Sequence, residues 1–301
     1  MSELSFHGRV AVITGAGRGL GRAYARLLGA RGARVVVNDV GSSMTGDGGD
    51  AGPAQQVADE IAAAGGEALA CTDSVATAGG ARAIVEAALD SFGRVDILIH
   101  NAGNVRRAPL TEMSEEDFQA VVDVHMMGGY RTLRAAFPHM TRAGYGRIVM
   151  TSSIAGLYGN PNAVNYAMSK AAMVGLVRVA ALEGAQAGIK ANAILPAAVT
   201  RMSEGLDTSQ FPPMDPDLVA PVVAFLSHES CALSGELIVS AAGRVARAYI
   251  AETRGVFRPS WTVEQVAQDL EGIMTDAEPV TFGLGMFEHL GYSFEMAKRA
   301  G

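Results

Sequence analysis

A glycine-rich turn between a short Val/Ile strand and a helix constrains this chain more than any other feature. Residues 9–13 (Arg-Val-Ala-Val-Ile) read as a buried strand, residues 14–21 as the turn, and residues 22–31 as a helix closed at Gly32. Residues 34–38 (Arg-Val-Val-Val-Asn) read as a second strand, closed by Asp39. Strand, helix and strand within about thirty residues make a β-α-β unit. Strands apolar along their whole length, without alternation, belong to a parallel sheet covered on both faces.

The same alternation continues down the chain. Helices are expected at 54–64, 77–92, 118–142, 165–187 and 218–227, and strands at 68–71, 95–100, 148–150, 190–195 and 237–239. Ser114, three residues before Asp117, reads as a helix cap, and Gly128-Gly129 as a break or a point of close packing. Residues 201–217, with Pro212, Pro213 and Pro216, read as an excursion suited to a lid. Beyond Gly243 the pattern loosens, with one more helix suggested by Trp261, Glu264, Val266 and Leu270. Strict alternation predicts an α/β fold, a doubly wound parallel sheet with helices on both faces. The expected division is a main domain over 1–243 and a helical or irregular extension over 244–301, packed on the same domain or on a neighbouring subunit.

Composition narrows the partners. The chain has 301 residues, 49% of them hydrophobic and 18% charged, enough for one large core. The net charge of −7 and the lack of a basic stripe argue against nucleic acid. The greasy stretch 171–182 is interrupted by Arg178 and closed by Glu183, so it reads as a buried helix rather than a membrane span. Two cysteines, Cys71 and Cys231, have no metal-ligand spacing and suit a reducing compartment. No secretory signal and no peroxisomal C-terminal address are read, so the expected location is cytoplasmic, and no metal site is expected.

In a doubly wound sheet, ligands bind beyond the C-terminal ends of the strands. The glycine turn, Asp39, Asp73, Asn101, Ser153 and Pro196 all follow expected strands. In the turn, Gly15, Arg18, Gly19, Leu20 and Gly21 would bring backbone N–H groups to a pyrophosphate at a helix N-terminus. The spacing is Gly15-x-x-x-Gly19-x-Gly21, with Leu20 where the usual dinucleotide fingerprint has its last glycine. Asp39, at the end of the next strand, can accept from both ribose hydroxyls and would repel a 2′-phosphate, which favours NAD over NADP. Arg18 pulls the other way. Asp73 and Ser74 would lie by the adenine, or cap the following helix. Asn101, Ala102 and Gly103 would pack small residues against the cofactor.

Tyr166 and Lys170 are four residues apart on a helix and so share a face. With Ser153 at a strand end, they form a set suited to proton exchange with a substrate oxygen. His125 lies in the expected helix 118–142, where a lone histidine is more often structural. Arg106 and Arg107 follow the Asn-Ala-Gly turn as surface charges or as a patch for substrate phosphates.

Taken together, Thr-Gly-x-x-x-Gly-x-Gly at 14–21, Asn-Ala-Gly at 101–103, Ser153 and Tyr166-x-x-x-Lys170 resemble the short-chain dehydrogenase/reductase family over about residues 5–242. The resemblance implies a Rossmann-type seven-stranded sheet, a nicotinamide cofactor, and a homodimer or homotetramer built through the helices at 118–142 and 165–187. Val-Val-Asn-Asp-Val at 36–40, Val-His-Met-Met-Gly at 124–128, residues 145–153, Gly-Leu-Tyr-Gly-Asn at 156–160 and residues 219–231 are similar to one branch of that family. That branch comprises the (3R)-hydroxyacyl-CoA dehydrogenase domains of multifunctional enzymes, the 17β-hydroxysteroid dehydrogenase type 4 group.

The implied reaction is NAD-dependent oxidation of a fatty or steroid side-chain 3-hydroxyacyl-CoA to the 3-ketoacyl-CoA. Tyr166 would be the base, Lys170 its supporting cation and ribose ligand, and Ser153 the group that orients the reacting oxygen. Ala198, Val199 and Thr200 would meet the carboxamide, and Arg106 the CoA phosphates. The wider family usually carries an asparagine at the place of His125, holding a relay water. Alternatives are a hydroxysteroid dehydrogenase or ketoacyl reductase using the same site, or a dinucleotide-binding protein without activity. With 301 residues and no hydratase or sterol-carrier segment, a free-standing dehydrogenase is expected.

Overall fold

The central strands have no polar face to offer to water, and none is exposed. β1 (Val10–Thr14), β4 (Ile97–His100) and β5 (Gly146–Thr151) are buried at every residue. They are flanked by β2 (Arg34–Asn38) and β3 (Glu67–Cys71) on one side, and by β6 (Ile189–Ala197) and β7 (Leu237–Ala241) on the other. The computed structural model describes residues 3–200, 210–275 and 277–300, except for the side chains of residues 299 and 300. The part of the expected lid at 201–209 lies outside the described residues.

With an edge strand β8 (Arg244–Ala248), the order across the sheet is β3-β2-β1-β4-β5-β6-β7-β8. The first seven strands are parallel. The chain moves outward one way from β1 and then the other way from β4, so the switch point, where such sheets bind ligands, lies between those two strands. Register makes the site. Cys71, Asn38, Thr14, His100, Met150 and Ala193 are successive partners in one row. The residues just beyond that row, Gly15, Asp39, Asn101 and Thr151, therefore emerge along one edge.

Seven strands were expected, and the sheet has eight. The extra strand, β8 (Arg244–Ala248), is Arg-Val-Ala-Arg-Ala and has no apolar run to announce it. A two-residue turn at Ala242 and Gly243, both at positive φ, folds it back on β7 as a hairpin, so this pair is antiparallel. Arg244 and Arg247 place charge on this edge strand, a device that discourages further pairing.

α1 (Gly19–Ala30), α2 (Gly52–Ala63) and α8 (Ala220–Ser227) contribute to a core with Ile13, Val35, Val37, Ile99 and Val149. Also in the fold are α3 (Ala78–Phe92), α4 (Glu115–Val122), α5 (Gly128–Ala143), a short α6 (Ala155–Tyr158) and α7 (Val164–Gly184). α3 is capped by Thr77 and α4 by Ser114. Gly128-Gly129 is a packing point, not a break: a Cβ on either would come within 3.2 Å of the His100 ring. Between α4 and α5 the helix passes through a π-helical turn, Asp123–Met127.

The chain divides into two compact units, the first ending at Arg247 and the second beginning at Ala248. The second unit carries α9 (Val263–Gln268), α10 (Leu270–Met274) and α11 (Phe287–Ala300), where one helix was expected near 261–270. Thr262 and Gln265 form a capping box at α9, and Arg258 pairs with Asp269 through two nitrogens. Among the described residues no helix is long and apolar enough to cross a membrane.

Candidate active site

The glycine turn is shaped by what would collide with it. A Cβ on Gly21 would lie 2.1 Å from the carbonyl oxygen of Gly15, and one on Gly15 would lie 2.7 Å from Ala102 Cα. Gly15 and Gly19 also adopt positive φ, where a side chain is strained. α1 starts at Gly19 with no side-chain cap and no acid in its first turn. Its first N–H groups are thus left for an anionic ligand. Leu20 packs against the core, and Thr200 reaches over the turn, 3.3 Å from a Cβ placed on Gly19. Val199 is held from behind, its N–H donating to Met214 O at 2.7 Å.

Asp39 closes one side. Its Oδ2 accepts from Gly17 N–H at 2.9 Å and its Oδ1 from Gly41 N–H at 2.8 Å. A carboxylate has about four lone-pair sites, so two remain for ribose hydroxyls. Arg18 is turned to the Ser42 carbonyl, 3.3 Å away. Asp73 takes the Cys71 thiol at 3.5 Å and, through its carbonyl, Asn38 Nδ2 at 2.8 Å. Ser74 accepts from Ala76 N–H at 3.2 Å. Close glycines, an uncapped helix end and a fixed carboxylate fit a dinucleotide with an adenosine ribose at Asp39.

The link between this turn and the Ser153, Tyr166 and Lys170 set was not singled out in the sequence. Thr14 Oγ1 accepts from the N–H groups of Asn101 and Ala102, each at 3.1 Å. Its own proton must then go to His100 Nδ1, also at 3.1 Å. His100 therefore carries its proton on Nε2 and donates it to the His125 carbonyl at 3.1 Å. Burial drives His100 down to about 3, with the Lys170 charge adding to the effect, so the ring is neutral at ordinary pH. Asn101 Nδ2 donates to the Thr14 and Gly15 carbonyls at 3.3 and 3.0 Å. The only signal for this network was a histidine and a threonine closing otherwise apolar strands.

His125 sits on the π-helical turn, edge-on to the Tyr166 ring with centroids 5.2 Å apart. Its Nε2 lies 2.8 Å from Asn104 O and 3.1 Å from Asn104 N, and its Nδ1 is buried with no partner among the described residues. Burial, then the Lys170 charge, holds it well below the usual imidazole range. Gly103 makes room, since a Cβ there would lie 2.4 Å from the His125 ring.

Ser153, Tyr166 and Lys170 come together as the spacing implied. Lys170 is buried, donates from Nζ to Thr151 O at 2.6 Å, and lies 5.5 Å from the Tyr166 ring centroid. Burial lowers its ammonium to about 7. Ser152 locks the helix to the strand end, its Oγ donating to Lys170 O at 2.7 Å. Burial pushes the Tyr166 phenol up, while the neighbouring Ser153 hydroxyl and the charge of Arg107 pull it down. Asn165, also unmarked in the sequence, donates to the carbonyls of Arg106 and Asp117 at 3.0 and 3.2 Å.

Arg106 is engaged by the chain itself. Its guanidinium donates to Asp117 at 2.8 Å, to Asp47 at 3.1 Å and to the Thr45 carbonyl at 2.9 Å. In this arrangement it clasps the loop at 45–47 to the first turn of α4 and does not present a free fork to a phosphate.

Comparison with known proteins agrees with this geometry. The family described as short chain dehydrogenase matches residues 9–210. The chain is 47% identical over 280 residues to peroxisomal multifunctional enzyme type 2 of Drosophila melanogaster, covering 91% of this chain but only 46% of that protein. It is 46% identical over 240 residues to a short-chain type dehydrogenase/reductase of Mycobacterium tuberculosis, covering 79% of this chain and 84% of the other. The solved structure of the full-length Drosophila enzyme superposes with a TM-score of 0.83 at 38% identity, covering 98% of this chain and 50% of that one. The chain thus spans about half the length of the multifunctional relative it matches. It belongs to the short-chain dehydrogenase family.

Proposed function

We propose that this chain oxidises the hydroxyl of a 3-hydroxyacyl-CoA to the 3-ketoacyl-CoA with NAD. The observation that carries the reading is the meeting of Ser153, Tyr166 and buried Lys170 at the sheet edge that holds the glycine turn. The substrate class is supported by the likeness to a multifunctional enzyme of that branch. NAD over NADP is supported by Asp39, a fixed carboxylate where a 2′-phosphate would have to sit.

When bound, the nicotinamide supplies the hydride acceptor. Gly15, Gly19, Leu20 and Gly21 would hold the pyrophosphate, Asp39 the adenosine ribose, and Ala198 to Thr200 the carboxamide side. Tyr166 takes the hydroxyl proton. An ordinary phenol near 10 must drop by about 3 units, roughly 4 kcal/mol, to act as a base near neutrality. Lys170 contributes positive charge beneath the phenol and an N–H for the nicotinamide ribose. Ser153, beside the phenol, orients the reacting oxygen. Asp73, Ser74 and Asn101 to Gly103 shape the cofactor wall.

The outward face of α7 is apolar too, with Met168, Val179 and Leu182 exposed. A helix apolar on all sides is normally covered, which supports a homodimer or homotetramer. Both cysteines are buried and unpaired, in keeping with a reducing compartment.

Tyr166→Phe is expected to bind NADH almost as well as the parent and to lose several orders of magnitude in turnover. The test is a panel of 3-hydroxyacyl-CoA, hydroxysteroid and ketoacyl substrates run with NAD and NADP in both directions. Near-normal turnover by the variant ends the assignment, and a preference for steroid or for NADPH-driven reduction replaces the substrate class.

A further inference from the structure

The loop that follows Asp39 does not stay on its own side of the sheet. It leaves β2 at Val40 and comes back to it, Asp50 N–H donating to Val40 O at 3.0 Å. Its tip, residues 43–47, is a closed turn. Ser43 N–H donates to Asp47 O at 2.8 Å, Asp47 N–H to Ser43 Oγ at 3.1 Å, and Thr45 Oγ1 to Asp47 Oδ2 at 2.7 Å. That tip is bonded to the segment that follows β4. Val105 N–H donates to Met44 O at 3.0 Å, and Arg106 donates to Thr45 O at 2.9 Å and to Asp47 Oδ1 at 3.1 Å. β2 and β4 lie on either side of β1. Two strand spacings, about 10 Å, separate them. The loop therefore spans the end of β1, where the glycine turn stands. Arg18, in that turn, donates to Ser42 O at 3.3 Å at the root of the span.

We infer that residues 43–47 form a strap across the dinucleotide cleft, latched by Arg106 on Asp47, and that the latch sets how fast a dinucleotide enters and leaves. The anchor beyond β4 is firm. Asn104 is buried and donates from Nδ2 to Ala120 O at 3.1 Å. Arg106 is held from behind by Asp117 at 2.8 Å, and its carbonyl by Asn165 at 3.0 Å. The strap is the yielding side, with the Asp47 side chain 70% exposed. Gly46 presses closest. It adopts a φ of +96°, and a Cβ there would lie 2.7 Å from Asn104 Nδ2. These bonds join parts of one chain, so the strap must part for passage in either direction. A gate of this kind slows entry and exit alike and leaves affinity nearly unchanged, whereas a grip on the ligand slows exit alone.

This inference rests on a dinucleotide binding at the glycine turn. The experiment is stopped-flow fluorescence of NADH, with entry read on mixing and exit read on a chase with excess NAD. Amide hydrogen exchange of residues 43–47 and Val105 is followed in the same proteins. Asp47→Asn should speed entry and exit alike by about threefold, with Kd unchanged within about twofold. Charge alone predicts the opposite for exit, since removing a carboxylate near an anionic ligand should slow its release. Gly46→Ala leaves every charge in place and crowds the tip off Asn104. It should speed both steps by about tenfold. In both variants the strap amides should exchange faster than in the parent.

Parent rates in both variants overturn the inference, and so does a change in the rates or in the amides without the other. Faster release with unchanged entry also overturns it, and makes the strap a grip. A parent that binds no NADH overturns the dinucleotide reading together with this one, whereas a parent that binds it and variants that exchange it at the parent rate overturn only the strap.

Discussion

The two halves of the site are built on opposite terms. On the dinucleotide side, Thr14, Asn38, Asp39 and Asn101 bond their polar atoms to the chain itself, and glycines stand where any further atom would collide. On the tyrosine side, His125 Nδ1, Asn104 Oδ1 and Thr151 Oγ1 are buried without partners among the described residues, and the Lys170 ammonium is buried too. A polar atom buried without a partner costs about 1–3 kcal/mol. The first half is finished as a surface and offers mainly backbone. The second carries reactive side chains at the expense of stability. Substitutions should therefore fail differently in the two halves.

The largest effect is expected from Gly21→Ala. The added methyl would lie 2.1 Å from Gly15 O, in the turn itself, and 2.7 Å from Asn101 Nδ2, which braces it. Dinucleotide binding, followed by fluorescence, should be lost, and the melting temperature should fall by the equivalent of about 3 kcal/mol or more. Retained binding would show that the turn is less filled than its geometry requires.

Lys170→Met should do the reverse on the other side. Turnover should fall about a hundredfold or more, while unfolding becomes harder. The sign follows from the lysine's pKa being lowered from 10.5 to about 7 on folding. Between those values the unfolded chain holds a proton that the folded chain has released. Parent stability therefore rises with pH across that window and carries the full penalty below it. The stabilisation by methionine should be on the order of 2 kcal/mol below pH 7 and fade toward pH 10. Urea unfolding at pH 6.5 and 9.5 checks this. A variant less stable at pH 6.5 would erase the contrast between the halves.

The smallest effect is expected at the seam. His100 is held at about 3, against an ordinary 6.5. As pH falls through 6.5 the unfolded chain binds a proton that the folded chain refuses until about 3, so stability drains across that interval. His100→Asn should cost about 1–2 kcal/mol at pH 7, through lost bonds to Thr14 and His125. It should then lose less than the parent between pH 6.5 and 4.5. An unchanged acid slope would place the proton uptake elsewhere.

Much of this was legible in the sequence because it depends on local pattern. Apolar runs such as Val-Val-Val at 35–37 marked the strands, and glycine and hydroxyl residues at strand ends marked the site edge. Tyr166 and Lys170 share a helix face by spacing alone. What escaped depends on distant partners. β8 has no apolar face and exists because two residues at positive φ turn it back. Arg106 and Arg107 look equivalent, yet Asp47 and Asp117, one of them 59 residues away, engage only the first. His100 shows its purpose only when register sets it beside Thr14.

The turn at Asp123–Met127 carries a consequence of its own. A π turn contains one residue more than the α-helix around it needs, and each residue advances a helix by about 100°. Dropping any one residue from this turn would let the helix run on as α and swing His125 away from the Tyr166 ring. A protein sharing every motif of this chain but shorter by one position here would set a different side chain against the phenol at the place of Tyr166. At this point chain length, more than residue identity, decides what the tyrosine rests on.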